Sequence, residues 1–189
     1  MDNFLARLVN DLKEAKQGHI YYHYNDIDKY LQNAITFIVT VIKHGYHVML
    51  VDNDRNILYI QENLKKQLTE EQLKNLHIIN NFDFYYSNGD FHAETIFSYF
   101  KTNIEPLLNL NVSICTWGLI EWSDENDITS NIEQYEKDLD SFVNEKGLIS
   151  VCAYDGNRTS QRLKDILMRC HRIMLTDDQY IYLDDHKAI

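Results

Sequence analysis

Short apolar runs of strand character alternate with helical patterns along most of the chain, and this alternation constrains the fold more than any other feature. Runs rich in β-branched and aromatic residues are typical of parallel strands buried on both faces of a sheet. Five such runs occur: HIYYHY (19–24), HVMLVD (47–52), HIIN (77–80), VSICTW (112–117) and LISVCAY (148–154). A helical pattern follows each run, over 30–43, 57–68, 91–104, 126–146 and 162–170. This order predicts an α/β fold whose mostly parallel sheet has helices on both faces.

The two ends of the chain add smaller elements to this plan. RIML (172–175) and YIYL (180–183) predict a closing hairpin, so the sheet should have five to seven strands. Residues 1–17 are predicted to form an N-terminal amphipathic helix, and residues 18–189 a single domain, because no Gly-, Ser- or Pro-rich linker divides them. The helix has one apolar stripe, which either binds a partner or second copy or packs on its own domain; the stripe contains Phe4, Leu5, Leu8 and Leu12.

Charge and composition exclude several classes of protein. The 18 basic and 29 acidic residues give a formal net charge of −11, which repels nucleic acid and anionic lipid, so neither is an expected direct partner. No apolar run is long enough to span a membrane and the N-terminus does not resemble a signal peptide, so we expect a cytoplasmic protein. The three cysteines have no metal-site spacing and should be buried thiols.

The motifs needed for nucleotide, metal or covalent chemistry are missing from the sequence. The connection after the first strand, NDIDKYLQN (25–33), has no glycine to cradle a phosphate, and the fourth strand ends without an acid to hold magnesium. Histidines 19, 23 and 47 occur singly, outside any metal-ligand spacing. Cys152, Asp155 and His171 lack an activating motif. The sequence thus predicts no catalytic residue, no metal and no cofactor.

Polar and aromatic residues follow the predicted strands, where the functional crevice of an open α/β sheet lies. From them we expect a small ligand to be held by Tyr24, Glu121, Tyr154 and Asp155, with the rings enclosing it and the carboxylates fixing its polar groups. Asp26, Asp54 and Asn81 also follow strands, but helix capping accounts for such residues more simply.

Charge is distributed unevenly in the last third of the chain. Residues 124–146 contain eight acids and two lysines, whereas residues 158–172 contain five bases and one acid, Asp165. The two segments are either solvated helix faces or surfaces that orient a partner of complementary charge, and the basic one could also line an anion-binding edge of the crevice.

Several longer motifs together resemble the MEDS domain, a methanogen/methylotroph sensory domain found in dichloromethane-responsive repressors and some archaeal sensor kinases. They include GHIYYHYND, YYSNGDF, WGLIEW, IEQYEKDL and VCAYD followed by LKDILMRCHRIML, and they cover about residues 18–175. The resemblance implies a RecA-like fold without the phosphate-binding loop, and a module that binds small molecules, often hydrocarbon derivatives, without converting them. Residues in matching motifs are His19, Tyr24, Glu121, Glu136, Tyr154, Asp155 and His171. A departure occurs after His171, where the family commonly has proline and this chain has Arg172.

These observations together predict a non-enzymatic bacterial regulator that acts through a separate signalling protein, such as a sensor kinase or transcription regulator, because the sequence carries no kinase or DNA-binding segment of its own. His19, Glu136 and His171 are expected to support the crevice, the two histidines by hydrogen bonds to the strand tips. A homodimer is a further expectation. The alternatives are a nucleotide-binding enzyme with an atypical phosphate site on the basic helix, and an adaptor whose crevice is filled by its own side chains.

Overall fold

A computed structural model describes residues 4–15 and 18–183 of the chain. The strands within these ranges are β1 (Gly18–Tyr24), β2 (His47–Asp52), β3 (Leu76–Asn80), β4 (Ile114–Leu119), β5 (Ile149–Asp155), β6 (Ile173–Leu175) and β7 (Tyr180–Tyr182). The helices are α1 (Phe4–Ala15), α2 (Ile27–Lys43), α3 (Asp54–Leu64), α4 (Glu70–Leu73), α5 (Asn81–Tyr85), α6 (Ala93–Leu108), α7 (Glu125–Thr129), α8 (Ile132–Lys146) and α9 (Gln161–Cys170).

The seven strands form one sheet in the order β3-β2-β4-β5-β1-β6-β7. All neighbouring pairs are parallel except β6 and β7, which form the predicted closing hairpin. The predicted α/β architecture is therefore confirmed. β1 lies near the middle of the sheet, between β5 and β6, so the carboxyl ends of most strands meet at one edge.

Helices cover both faces of the sheet, and each face has its own apolar core. α1, α2 and α3 pack on one face, around Ile38, Leu50 and Trp117. α5 to α9 pack on the other face, around Phe84, Tyr135 and Leu167. Because side chains alternate between faces along a strand, neighbouring residues of β1 and β5 belong to different cores.

Helix α1 packs on its own domain. Leu5, Leu8 and Leu12 are at most 2% exposed and lie in the core beneath α2, and Phe4 packs against that core while half-buried. The stripe is therefore largely enclosed. Of the two roles predicted for it, packing on its own domain describes its position, and binding of a partner or second copy does not. This arrangement follows from the hydrophobic effect, since burying four large side chains removes their apolar surface from water.

Two predicted helix boundaries are wrong. The pattern over 126–146 is two helices, α7 and α8, separated at Ser130 and Asn131. Periodicity did not reveal the break because Ile128 and Ile132 on either side of it are both buried in the same core. The pattern predicted over 91–104 is α6, which begins at Ala93 and continues through Pro106 to Leu108, because a proline this close to the end of a helix disturbs only the last turn.

Candidate functional site

A solvent-connected opening lies at the carboxyl edge of the sheet, above β3, β2 and β4. The connection that leaves β2 runs to the face covered by α3, and the connection that leaves β4 runs to the opposite face, so a crevice opens between them. We call it the cleft; its volume is about 820 Å³. Its lining includes Asn53, Asn81, Phe82, Tyr86, Glu121, Trp122, Asp127 and Arg158.

Glu121 provides an oriented carboxylate in the cleft. Its Oε2 accepts hydrogen bonds from Asn81 Nδ2 at 2.8 Å and from Asn53 Nδ2 at 3.2 Å. Tyr86 donates its hydroxyl to the main-chain oxygen of Glu121 at 2.9 Å, which also fixes the backbone there. Both side-chain bonds use Oε2, so among the described residues Oε1 keeps its capacity to accept from a ligand.

Aromatic rings and one cation form the rest of the cleft wall. The Arg158 guanidinium lies 5.1 Å from the ring centroid of Trp122 and donates to the main-chain oxygen of Trp122. Phe82 is 66% exposed and stacks on Tyr86 with 5.7 Å between ring centroids. A large exposed ring at the mouth of a cleft is the kind of surface that a ligand or partner covers.

A buried carboxylate, Asp52, lies under the cleft at the end of β2. It accepts hydrogen bonds from Tyr30 Oη at 2.6 Å, Asn56 Nδ2 at 2.9 Å and the amide of Asn53 at 2.8 Å. Trp117 Nε1 in turn donates to Tyr30 Oη at 3.0 Å. Burial raises the pKa of Asp52 to about 6, because the neutral donors around it compensate only part of the lost hydration.

The crevice above β1, where the amides at the start of the next helix could hold a phosphate, is closed by the chain itself. Asp177, from the turn between β6 and β7, accepts hydrogen bonds at Oδ2 from the amides of Asn25 (3.0 Å) and Asp26 (3.2 Å). Its Oδ1 accepts from Tyr22 Oη at 3.1 Å. The Asp26 side chain caps α2 by accepting from the amides of Asp28 and Lys29. These amides, which could bind an anion, already have carboxylate partners.

A second concentration of functional side chains lies inside the domain, between the sheet and helices α8 and α9. We call it the buried cluster: His19 of β1, Glu136 of α8, Cys152 of β5 and His171, which follows α9. Glu136 Oε2 is 3.1 Å from His19 Nε2 and 3.4 Å from His171 Nε2, and Cys152 Sγ is 3.5 Å from His19 Nε2. All four residues are at most 4% exposed.

Electrostatics in the buried cluster favour a charged carboxylate. Burial by itself would raise the pKa of Glu136, but His171 and His19 outweigh it and hold this pKa well below its usual range. Burial would lower the pKa of His19, but Asp140 and Glu136 outweigh it and raise that pKa. Burial, reinforced by the charge of His19, lowers the pKa of His171. The shifts favour an ionised Glu136 paired with a protonated His19.

Comparison with known proteins identifies the family. A profile described as MEDS, the methanogen/methylotroph, DcmR sensory domain, matches residues 18–172. This chain belongs to the MEDS family. Its fold is similar to that of the flagellar accessory protein FlaH from Methanocaldococcus jannaschii, with a TM-score of 0.50 and 10% identity over 84% of this chain and 70% of that one. No curated protein sequence matches the chain.

The structural similarity supports the RecA-like architecture that the family resemblance implied for this MEDS domain. Along residues 4–15 and 18–183, no helix combines the length and the apolar character needed to cross a membrane. Cys115, Cys152 and Cys170 are free and buried, which confirms the prediction made for all three.

Of the four ligand-binding residues predicted for this MEDS domain, Glu121 lines the cleft and the other three lie elsewhere. Tyr24 packs on Tyr30 in the core beneath α2, with 4.6 Å between ring centroids. Tyr154 is completely buried on the opposite face and donates its hydroxyl to Glu136. Asp155 is half-buried at the end of β5 and caps its own turn by accepting from the amide of Asn157.

The reason for this separation is the register of the strands. Tyr24 is level with Asp155, and His23 with Tyr154, so the two tyrosines point to opposite faces of the sheet. The expectation that His19 and His171 support the strand tips is also wrong. His19 lies five residues before the end of β1, which is about 16 Å along the strand.

Sequence analysis named some of the residues that line the cleft but assigned most of these too small a role. Asn81 was explained as a helix cap, yet its side chain donates to Glu121 and to the main-chain oxygen of Leu119. Asn53 does cap α3, and it contacts Glu121 as well. Tyr86 lies in the YYSNGDF motif, and Arg158 begins the basic segment that could line an edge of the crevice.

Proposed function

We propose that this MEDS domain is a non-enzymatic cytoplasmic sensory protein that binds a small organic ligand in the cleft and signals through contact with a separate protein, such as a sensor kinase or transcription regulator. The cleft carries the proposal. It is a solvent-connected space of about 820 Å³, within the range of small-molecule sites, with one oriented carboxylate among aromatic rings.

The lining indicates which ligand chemistry fits. A hydrogen-bond donor or a cationic group would bind Glu121, whose carboxylate is already held by two amide side chains. An apolar or aromatic body would lie against Phe82, Tyr86 and Trp122, which together give an apolar surface with a few polar groups at fixed places. Small amines and polar hydrocarbon derivatives have this combination, which is in keeping with the family's sensory role.

The position of the cleft suggests how binding would reach a partner. Its lining comes from separate connections: α5 after β3, α7 after β4, and the loop before α9. Asp127 belongs to the acidic segment 124–146 and Arg158 to the basic segment 158–172, and both line the cleft. A ligand that contacts these connections would change the spacing of two oppositely charged surfaces, which are suited to orient a partner protein.

Nucleotide binding is the competing function, because Arg158 offers a cation to a phosphate. The crevice above β1 does not favour it, since Asp177 and Asp26 occupy the amides that a phosphate would need. Four acids in the cleft lining, Asp54, Asp90, Glu121 and Asp127, would also repel a polyphosphate.

A thermal-shift series tests the proposal. Benzylamine, phenethylamine and hexylamine should raise the melting temperature of the wild type, because a ligand at 100 times its Kd stabilises the folded state by about 2.7 kcal/mol. Glu121→Gln should remove the shift, whereas Glu62→Gln, a change at an exposed residue of α3, should keep it. ATP and GTP with magnesium should give no shift. A nucleotide shift without an amine shift would replace the sensory proposal with the nucleotide-binding one.

The partner requires its own measurement. Wild type and Glu121→Gln, each with and without the amine that binds, would be immobilised and exposed to native cytosol, and retained proteins identified by mass spectrometry. We expect one signalling protein whose retention by wild type changes with the amine while its retention by the variant does not. Equal retention in all four conditions would separate partner contact from the cleft and contradict the proposed coupling.

A further inference from the structure

The buried cluster has no part in the proposed function, yet it combines four side chains that are common ligands of transition metals. Two imidazoles, one thiol and one carboxylate come from four different elements, and one potential ligand atom of each lies within 4.8 Å of all the others. These residues are far apart in the sequence, at positions 19, 136, 152 and 171. The fold alone brings them together.

Three of the distances between ligand atoms in the cluster match the edges of a tetrahedron around zinc. Zinc bonds are about 2.0–2.2 Å to nitrogen or oxygen and about 2.3 Å to sulfur, so a tetrahedral site has edges of about 3.3 Å between N or O ligands and about 3.6 Å between N and S. Glu136 Oε2 is 3.1 Å from His19 Nε2 and 3.4 Å from His171 Nε2. Cys152 Sγ is 3.5 Å from His19 Nε2.

Outer contacts hold the same side chains in the orientation that metal ligands need. His171 Nδ1 is 2.7 Å from the main-chain oxygen of Leu167, which fixes the proton on Nδ1 and leaves the Nε2 lone pair facing the cluster. His19 Nδ1 is 3.4 Å from Asp140 Oδ1, and Tyr154 donates to the other carboxylate oxygen of Glu136, Oε1. Carboxylate and carbonyl partners on the far nitrogen are usual for metal-bound histidines.

Hydrogen bonds within the protein leave the cluster incomplete. Glu136 Oε2, His171 Nε2 and His19 Nδ1 are buried and make no hydrogen bond of acceptable geometry with the described residues. A proton on His19 would balance the charge of Glu136 but would still leave the His171 Nε2 lone pair facing a carboxylate oxygen at 3.4 Å. Unsatisfied buried polar atoms are costly, and one cation placed between them would satisfy Glu136 Oε2 and His171 Nε2 together, while His19 Nδ1 faces Asp140 Oδ1 at 3.4 Å.

We propose that His19 Nε2, Glu136 Oε2, Cys152 Sγ and His171 Nε2 form a closed structural site for Zn²⁺. Zinc favours this mixture of nitrogen, sulfur and oxygen in tetrahedral geometry, and four protein ligands leave no open position for a substrate. On binding, the Cys152 thiol and the protonated His19 each lose one proton to solvent, and the freed thiolate and the Nε2 lone pair form the Zn–S and Zn–N bonds. The thiolate and the carboxylate then neutralise the two charges of the ion, so the buried site carries no net charge.

Such a site would fix the central strands of the sheet to two of the helices that cover it. It would link β1 and β5 at the centre of the sheet to α8 and to the end of α9. Because the four side chains are at most 4% exposed, zinc would enter while the chain folds rather than afterwards.

The first test is metal content. Untagged wild-type protein would be unfolded in denaturant that contains EDTA and then refolded with excess zinc. After dialysis it should retain one zinc per chain, and it should melt at a higher temperature than protein refolded without metal. Less than a tenth of an equivalent of bound zinc, with identical melting temperatures, would overturn the proposal and leave the cluster as a protonated ion pair.

The second test identifies the ligands. Refolding with Co²⁺ should give the visible bands of a tetrahedral site and a near-ultraviolet band from the Cys152 thiolate. Cys152→Ser should remove the near-ultraviolet band, whereas the matched control Cys115→Ser, at a buried thiol on the other face of the sheet, should keep it. Tyr154→Phe should weaken zinc binding by about 10- to 100-fold through its contact with Glu136. A near-ultraviolet band that survives Cys152→Ser and disappears in Cys115→Ser would place the metal elsewhere.

Discussion

Asp52 beneath the cleft and Glu136 in the buried cluster are both completely buried carboxylates, but their surroundings affect them in opposite ways. The neighbours that donate to Asp52 are neutral, namely a tyrosine, an asparagine and a backbone amide, and burial raises its pKa to about 6. Glu136 faces two histidines, and they hold its pKa well below its usual range against the effect of burial. The difference shows that partner charge, more than depth, decides whether a buried acid is ionised.

The comparison also separates two kinds of site within one domain. The cleft is open to solvent, and Asn53 and Asn81 satisfy its carboxylate Glu121, so the site is complete without a ligand and suits reversible exchange. The buried cluster is closed and has unsatisfied atoms, so it suits a permanent component of the structure. Substitutions in the two regions should therefore affect different properties.

Loss of the Glu136 carboxylate should have the largest effect on stability. Glu136→Ala leaves two buried histidines and the Tyr154 hydroxyl without their acceptor, and breaking a buried ion pair from one side costs about 3–5 kcal/mol. Chemical denaturation at pH 7 would measure the loss. Glu133→Ala, one turn earlier on the same helix, removes only a surface pair with Lys137 and is the matched control. Similar losses for the two variants would contradict the structural importance of the cluster.

The buried cluster is also the part of the molecule that sequence analysis was least able to predict. His19 and His171 lie at opposite ends of the chain, and each occurs singly in a strand or at a helix end, where no spacing rule applies. Strand and helix patterns are local, so they predicted nearly all of the sheet and its helices. Which side chains meet across the sheet depends on strand order and register, which those patterns do not contain.

The cleft was predicted better, for the same physical reason. Glu121 was named because parallel strands end at one edge of a sheet, and that rule needs no register. Tyr24 and Tyr154 were named by the same rule, but each lies within its strand rather than after it, so the alternation of faces buried them on opposite sides. The rule is reliable for residues beyond the last strand residue, such as Glu121, and weaker for residues within the strand.

The raised pKa of Asp52 should produce a stability change with pH. The folded chain holds this proton more tightly than the unfolded chain, whose carboxyl has a pKa near 3.8. The free energy of unfolding should therefore fall as pH rises from about 4 to 6. Above pH 6 the loss from this group is complete and amounts to at most about 3 kcal/mol.

Unfolding free energies of wild type and Asp52→Asn across this range would test the sign. The variant should lack the fall, so the difference between the two curves should grow with pH. Asp54→Asn, at an exposed carboxylate two residues away, provides the control for a change of net charge. Parallel curves for wild type and Asp52→Asn would contradict the assigned shift.

Asp177 should have an intermediate effect, because it is only half-buried but joins the closing hairpin to the start of α2. Asp177→Ala removes an ionised acceptor from two amides and one hydroxyl, and we expect a loss of about 2 kcal/mol in chemical denaturation. Asp178→Ala, at the next position, affects only an exposed pair with Lys29 and should change stability much less. If the two variants were equally stable, the closure of the β1 crevice would contribute nothing to folding.

Substitution of Glu121 should have the smallest effect on stability and the largest effect on the response to ligand. Substitution of Glu136 should do the reverse. Its carboxylate is half-buried, and after Glu121→Ala the side chains of Asn53 and Asn81 remain close enough to solvent to find water, so we expect a loss of at most about 1 kcal/mol. Glu121→Gln keeps one oxygen that can accept from both amides, and it removes the charge. If the ligand is held by charge, the amine-induced rise in melting temperature should disappear in both variants. If it is held by hydrogen bonding alone, Glu121→Gln should retain part of the rise, while a full response in Glu121→Ala would show that the cleft carboxylate does not contact the ligand.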